Sequence, residues 1–473
     1  MTPGRTILSS ILAISLASCG GGGGGTSTPP RSGDGGGGTA NCSLSARQDW
    51  ALGVLREWYL FPDLLDTSVN KASYDDLQSY IDAVTAPGEA LFDPDNIGKQ
   101  FTYITSIEEE NDLIQNGSSA GFGFRLTYDT VNNRVFVAEV FETAPAFPAF
   151  DRGTEILAIE GQSIDTVMAQ GGPFAVIDLL GASTPGLTRS FQIRSRSGEV
   201  SNVTISKAEY TLDPVSDRYG AKILNDGAGG QVGYINLRTF IVQNASNQLR
   251  DAFQQFKNAG IDRVILDLRY NGGGLVNVAE TLGDLLGEGL EGEVFSRTQY
   301  RPSKAAENST RLFQNEPAQI DTMKLAVIGR LGTASASELV ANSMIPYLGD
   351  NIALIGTDTY GKPVGQDAFD RSACDDRLRA VTFQTVNANN QGEYYGGLAS
   401  VMPNTCVAPD DIRYQLGDPR EASVDTAIDF LAGRTCQPIT AIKDTSAQTS
   451  RPGLQLLQPR RPNAAQHDIP GLF

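Results

Sequence analysis

Three short apolar runs, each cut off by a glycine-rich stretch, restrict what this chain can fold into more than any other feature. The run at 263–268 ends in Arg269-Tyr270-Asn271-Gly272-Gly273-Gly274. The run at 325–328 leads to Gly332-Thr333-Ala334-Ser335-Ala336-Ser337-Glu338, and the run at 352–355 ends in Gly356-Thr357-Asp358-Thr359-Tyr360-Gly361-Lys362-Pro363. Runs this short and this continuously apolar suit strands that are covered on both faces. Helical spacing separates them, at 245–258 (with Leu249, Phe253 and Phe256 on one side), 275–286, 338–347 and 422–431. Strand alternating with helix across 217–433 predicts an α/β core with a mostly parallel sheet. The glycine-rich turns then lie at the carboxyl ends of the strands, where such sheets hold their ligands. A further strand is expected at 233–237, and a β-ribbon from 380–386 with 400–402.

On either side the pattern changes, so the fold class is multidomain α/β. Across 43–104, Ala51, Val54, Leu55 and Trp58, and again Leu77, Tyr80, Ile81 and Val84, recur at i, i+3, i+4, i+7. This predicts a helical N-terminal cap. Ser73 is the expected N-cap of the second helix, with Asp75 and Asp76 in its first turn. Across 105–210 short strands take over, at 121–124, 135–140, 156–159, 190–194 and 203–206, with a helix near 165–180. Residues 437–473 are rich in Pro, Gln and Ser with little periodicity, and read as a disordered tail.

Composition removes several classes of function. The net charge is −18, from 37 Lys and Arg against 55 Asp and Glu, which argues against a nucleic-acid binder. The single histidine, His467, lies in the tail. A histidine-built metal site is excluded, and a hydrolase here needs a base other than histidine. Ser335 and Glu338 have the spacing of a capping box, so Ser335 reads as a helix cap or as a nucleophile at a strand-to-helix elbow. Gly356, Gly361 and Lys362 fit the first seven positions of a phosphate-binding loop. The eighth, Pro363, lacks the hydroxyl that such a loop needs. No nucleotide, metal or other cofactor is expected.

The N-terminus carries Arg5 and an apolar run at 7–16, too short to span a bilayer. Leu16-Ala17-Ser18-Cys19 resembles a bacterial lipobox, which implies a signal peptide at 1–18 and lipidation of Cys19. A glycine-rich tether at 19–42 follows, about 20 residues with a reach of ~25 Å. The expected location is the bacterial cell envelope, lipid-anchored on the periplasmic side of the outer membrane. In that oxidising setting Cys42, Cys374, Cys406 and Cys436 permit two disulfides with three connectivities. The expected pairs are Cys374–Cys406, bracketing a hairpin, and Cys42–Cys436, joining the ends of the folded region.

Gly121-Phe122-Gly123-Phe124, Ala144-Pro145-Ala146 and the run from Arg152-Gly153 through Ile156, Leu157 and Ile159 to Gly161 resemble a PDZ domain. The resemblance implies that Gly121, Phe122, Gly123 and Phe124 bind a peptide's terminal carboxylate while the peptide adds as a strand. The stretches around Asn271–Gly274, Ser335–Glu338 and Tyr360–Gln366 resemble the tail-specific, or C-terminal processing, serine peptidases, over roughly 43–433. That resemblance implies Ser335 as nucleophile, Lys362 as base, Gln366 as the group orienting the lysine, and the N–H groups of Gly273 and Ala336 as oxyanion hole. The Ser335-to-Lys362 spacing of 27 residues is about two longer than usual in that family. Ser337 is the rival nucleophile, and along a helix it points away from Ser335. A lysine serves as base only if burial lowers its pKa towards ~7–8.

The expected function is a serine endopeptidase acting on exported polypeptides with free apolar C-termini, anchored to a membrane by lipid, without nucleic acid. The competing expectation is an inactive lipoprotein that binds protein C-termini. Ile469-Pro470-Gly471-Leu472-Phe473 is itself apolar, and is a candidate self-ligand or self-substrate.

Overall fold

The computed structural model describes residues 31–32, 41–93, 99–439 and 454–473. Cys19 and the segment 1–30 lie outside the described residues.

The sheet at the centre of the core runs Ala221–Asn225, Gln231–Asn236, Arg263–Asp267, Lys324–Gly329, Ile352–Gly356, Asn404–Val407. Four of its pairings are parallel, and Ala221–Asn225 adds an antiparallel edge. Successive side chains alternate between the faces. Ile235, Val264, Leu266, Leu325, Val327, Ile352 and Leu354 meet the cluster formed by the helices Ala245–Asn258, Val276–Leu286 and Ala336–Leu348. Tyr234, Ile265, Ala326, Ile328, Ala353 and Ile355 meet the helix Ala422–Leu431 on the other side. Both faces are covered, which is why the inner strands are apolar along 264–266, 325–328 and 352–355.

A second sheet joins Val364–Arg371, Asp376–Val386, Val294–Tyr300 and Ser309–Leu312, with Tyr103–Ser106 beside Asp376–Val386 and a short parallel pairing from Arg31–Ser32. The helices Leu44–Trp58 and Leu77–Phe92 pack on it through Ala51, Leu55, Ile81 and Val84, against Phe369, Leu378 and Val381. Two expectations are corrected here. The second helix is capped by Asp76, which accepts from the Ser79 N–H at 2.8 Å, while Ser73 sits in a preceding 3-10 turn. Residues 380–386 pair within this sheet rather than with 400–402, because Ser400 closes a 3-10 turn.

A third sheet, antiparallel in its main strands, runs Phe124–Asp129, Arg134–Val140, Glu155–Ile159, Thr188–Arg194, Val200–Ser206. The helix Ile164–Leu180, kinked at Gly172, covers it. A buried ionic cluster joins this unit to the core. Arg152 pairs with Asp410 at 2.6 Å and donates to the Tyr270 hydroxyl at 2.7 Å. Arg269 pairs with Asp267, Asp410 and Glu421. With every member paired, charges so deeply buried are tolerated.

The disulfides differ from expectation. Cys42 pairs with Cys374 and Cys406 with Cys436, at Cα separations of 5.5 and 5.4 Å. Cys374 lies in the turn between Val364–Arg371 and Asp376–Val386, beside the start of the first helix. The chain after Ala422–Leu431 returns along Asn404–Val407, where Val407 N–H donates to Gln437 O at 2.8 Å. The tail also differs. Gln455–Leu456 pairs antiparallel with Phe124–Asp129, Ala464–Asp468 is a helical turn, and Leu457, Ile469, Leu472 and Phe473 are buried. Residues 440–453 lie outside the described residues. The tail has no periodicity because it makes no core of its own; it fills surfaces that the rest of the chain builds.

Candidate active site

The three glycine-rich turns emerge side by side, from the carboxyl ends of the adjacent parallel strands Arg263–Asp267, Lys324–Gly329 and Ile352–Gly356. Ser335 opens the helix Ala336–Leu348 with φ 56° and ψ −115°, a left-handed φ that a residue with a side chain seldom adopts. Backbone strain of this kind costs roughly 1–3 kcal/mol and is held only by surrounding contacts. Here the main contact is Glu338, one turn into the same helix. Its Oε2 accepts from the Ser335 N–H at 3.0 Å and from the Lys362 N–H at 2.7 Å. Its Oε1 accepts from the Thr359 hydroxyl at 2.6 Å and the Gly361 N–H at 2.7 Å. One buried carboxylate thus brings the serine turn and the lysine turn within hydrogen-bond reach of a single oxygen. Burial pushes its carboxyl pKa up, against these four donors.

Lys362 is partly accessible, and its Nζ donates to Gln366 Oε1 at 3.0 Å. The Gln366 amide is fixed in turn by donating to the Phe101 carbonyl. Phe101 also presents its ring 5.5 Å from Nζ. Desolvation pushes the ammonium from its ordinary value near 10.5 down to about 8, while Asp468 opposes the shift. A lysine poised there exchanges a proton near neutral pH, as an amine base must.

Ser337 is fully buried, and its hydroxyl donates to the Asn271 carbonyl at 2.9 Å. Ser335 is the more accessible of the two serines, partly buried at the positive end of a 13-residue helix. Gly273 packs against it: a Cβ there would lie 2.8 Å from Ser335 Cβ and 3.1 Å from the Ala336 nitrogen. With φ 114°, this position suits only glycine. The Gly273 N–H, however, donates to Asn271 Oδ1 at 2.9 Å, and the neighbouring Gly272 N–H donates to the Asp468 carbonyl at 3.0 Å. Asn271 is therefore a hub that sequence reading missed. It also accepts at its carbonyl from the Ala334 N–H at 3.1 Å and donates from its amide to Leu237 O at 2.9 Å.

The stretch Gly356–Lys362, which matches most of a phosphate-binding loop, aims the N–H groups of Gly361 and Lys362 at Glu338. Gly121–Phe124 lies at the head of the third sheet, and the Gly123 N–H donates to the Phe473 carboxyl at 2.8 Å. Two participants were not legible in advance. Tyr103 stacks on His467 with centroids 3.6 Å apart, and burial together with Lys362 pushes that imidazole down to about 3. His467, set aside as a tail residue, thus lies beside the lysine as a neutral ring.

Residues 231–396 match the model of peptidase family S41. The chain is 29% identical over 326 residues to a carboxyl-terminal-processing protease of Picosynechococcus sp., covering 67% of this chain and 71% of that one. It is 27% identical over 393 residues to a carboxyl-terminal-processing protease of Synechocystis sp., covering 82% of both. A crystal structure of a Bacteroides fragilis protein described as an S41 protease shares the fold at a TM-score of 0.62, with 22% identity over 81% of this chain and 97% of that one. The chain thus carries a peptidase family S41 domain at residues 231–396 and is a homologue of the carboxyl-terminal-processing proteases, a serine-type peptidase.

Proposed function

We propose that the chain is an endopeptidase with a Ser-Lys pair that cleaves exported polypeptides near their C-termini, recognising the terminal carboxylate through a PDZ-like unit at 105–210. The observation that carries this reading is the shared oxygen of Glu338, which holds Ser335 and Lys362 together while Gln366 aims the amine. Neutral Lys362 takes the hydroxyl proton as Ser335 Oγ bonds to the scissile carbonyl carbon. The same proton passes to the leaving amine as the C–N bond breaks, and water then hydrolyses the ester by the reverse order of transfers. The Ala336 N–H, with the Gly273 N–H once Asn271 Oδ1 releases it, holds the developing oxyanion, a contribution of about 3–4 kcal/mol per donor. The lipidated Cys19 and the glycine-rich tether keep the enzyme at the cell-envelope membrane.

The test is cleavage of a loosely folded protein with an apolar C-terminus, free or amidated, by the wild type and by Ser335→Ala. Cleavage by the wild type alone, and only of the free acid, is the expected result. Cleavage by both proteins would remove Ser335 from the mechanism. The pH profile is a second check. Only the free amine accepts a proton, so turnover should rise with pH through the region of 8 and level off above it. The Asp468 carboxylate helps to hold the proton on Lys362, so Asp468→Asn, which removes the charge and keeps the cover, should move the midpoint down. A profile flat from about pH 6 to 9 would count against lysine as the base.

A further inference from the structure

The tail runs through both halves of the proposed site. The Phe473 N–H donates to Phe124 O at 3.0 Å, its carboxyl oxygen accepts from the N–H of Gly123 at 2.8 Å and of Phe124 at 3.4 Å, and Gly471 O accepts from the Leu126 N–H at 2.9 Å. Leu472 bridges antiparallel to Arg125, whose guanidinium also donates to Pro470 O at 3.2 Å. This is a strand added to a sheet edge, with its carboxyl end in a glycine turn. A Cβ on Gly121 would come 2.9 Å from the Phe473 carboxyl carbon, so glycine is needed for this approach. Phe473 is 4% exposed, in the cluster that contains Phe122, Phe124 and Met168.

A few residues upstream the same segment crosses the cleft. Asp468 O accepts from the Gly272 N–H, His467 stacks on Tyr103, and Arg461 pairs with Asp82 on the N-terminal helices at 2.8 Å. Its conformation there is not that of an extended substrate. Ala464–Asp468 is a helical turn capped by Asn463 and Gln466, and the Ile469 N–H donates to Ala465 O at 2.9 Å. Gln466 Nε2 donates to Leu472 O at 2.6 Å, and Gln458 ties Gln466 to Gly471. The carbonyl that reaches the turn is held by Gly272 while the Gly273 N–H stays on Asn271. A peptide folded this way lies against Gly272 and Tyr103 in a turn held by its own hydrogen bonds, not in the extended form of a strand-like substrate.

We propose that residues 454–473 are a built-in inhibitor, filling the carboxylate turn and the cleft beside Ser335 and Lys362 until a polypeptide with an apolar C-terminus displaces them. The carboxylate half of this inference rests on the function proposed above. A tethered ligand acts at an effective concentration of roughly millimolar, so an untethered substrate competes at a disadvantage. When the competent form is a minority, apparent affinity falls by its fraction.

The test compares the full chain, a chain lacking residues 454–473, and the full-length Phe473→Asp variant, which places a charge in the apolar pocket and leaves the rest of the tail intact. Substrates with free and amidated C-termini run in parallel. Both variants should raise kcat/KM on the free-acid substrate at least about tenfold. A synthetic peptide of residues 463–473 added to the truncated chain should restore inhibition with a free carboxyl and not when amidated. Equal kcat/KM for the full chain and Phe473→Asp, with no effect of the peptide, overturns the proposal. Ser335-dependent loss of the tail from the intact protein, read by mass, overturns it too, since the tail is then a substrate. If the variants are activated but cleave free and amidated substrates equally, occlusion of the cleft is upheld and the carboxylate reading fails.

Discussion

Lys362→Ala is expected to lose peptidase activity by at least about 10²–10⁴-fold, the usual worth of a positioned proton acceptor, while its unfolding midpoint stays close to that of the wild type. The backbone N–H of residue 362 still reaches Glu338, so the anchor under the turn survives the truncation. Lys362→Arg should fail as completely, because a guanidinium keeps its proton at every working pH. Ser335→Ala should match these losses. Ser337→Ala should instead cost stability, by about 1 kcal/mol for its buried hydrogen bond to Asn271 O, and leave turnover nearly unchanged. Assays of the four variants, each with a denaturation curve, separate the two serines. Substantial turnover in Lys362→Ala would remove the Ser-Lys mechanism whatever the others show.

Glu338→Ala carries the largest expected effect on the architecture. It strands four donors in the interior: the N–H groups of Ser335, Gly361 and Lys362 and the hydroxyl of Thr359. Each unpaired group costs roughly 1–3 kcal/mol, so the fold should lose at least about 3 kcal/mol. Glu338→Gln is the sharper probe. It keeps the shape but turns one N–H₂ towards donors, so it should recover stability only in part. Because Glu338 positions the pair and touches no substrate, kcat should fall more than tenfold with little change in KM. Its negative charge also helps to hold the proton on Lys362, so in Glu338→Gln the pH midpoint should move down. Full recovery of kcat and an unmoved pH midpoint in Glu338→Gln would show that only side-chain volume matters there.

The core was legible because its signals are local. A strand buried on both faces needs an apolar residue at nearly every position, as in Lys324–Gly329, whatever lies beside it. A turn that crowds another backbone needs glycine, as at Gly273. Ser335 and Lys362 were picked out by the resemblance of their stretches to the C-terminal processing peptidases, each a few residues beyond such a strand. The wrong disulfide pairing shows the limit. Four cysteines have three connectivities, and the choice depended on Asn404–Val407 lying beside the returning chain at Cys436, which no local pattern records.

The sequence by itself determined the chemistry that was available: serine and lysine at strand ends, a lone histidine that no histidine-based triad could rely on, and glycines where backbones must close in. Only the tertiary structure decided how those groups are engaged. Glu338 read as a helix cap and proved to join two turns. Asn271 read as part of a turn and proved to hold the Gly273 N–H. Residues 454–473, within a tail that read as disordered, proved to pack against Phe124–Asp129, Gly272 and Tyr103. The physical reason is common to all three. Periodicity and propensity record what a residue does to its own segment. A carboxylate's four donors, or a tail's borrowed strand partners, come from segments far apart in the chain, and exist only once the sheets and turns have been brought together.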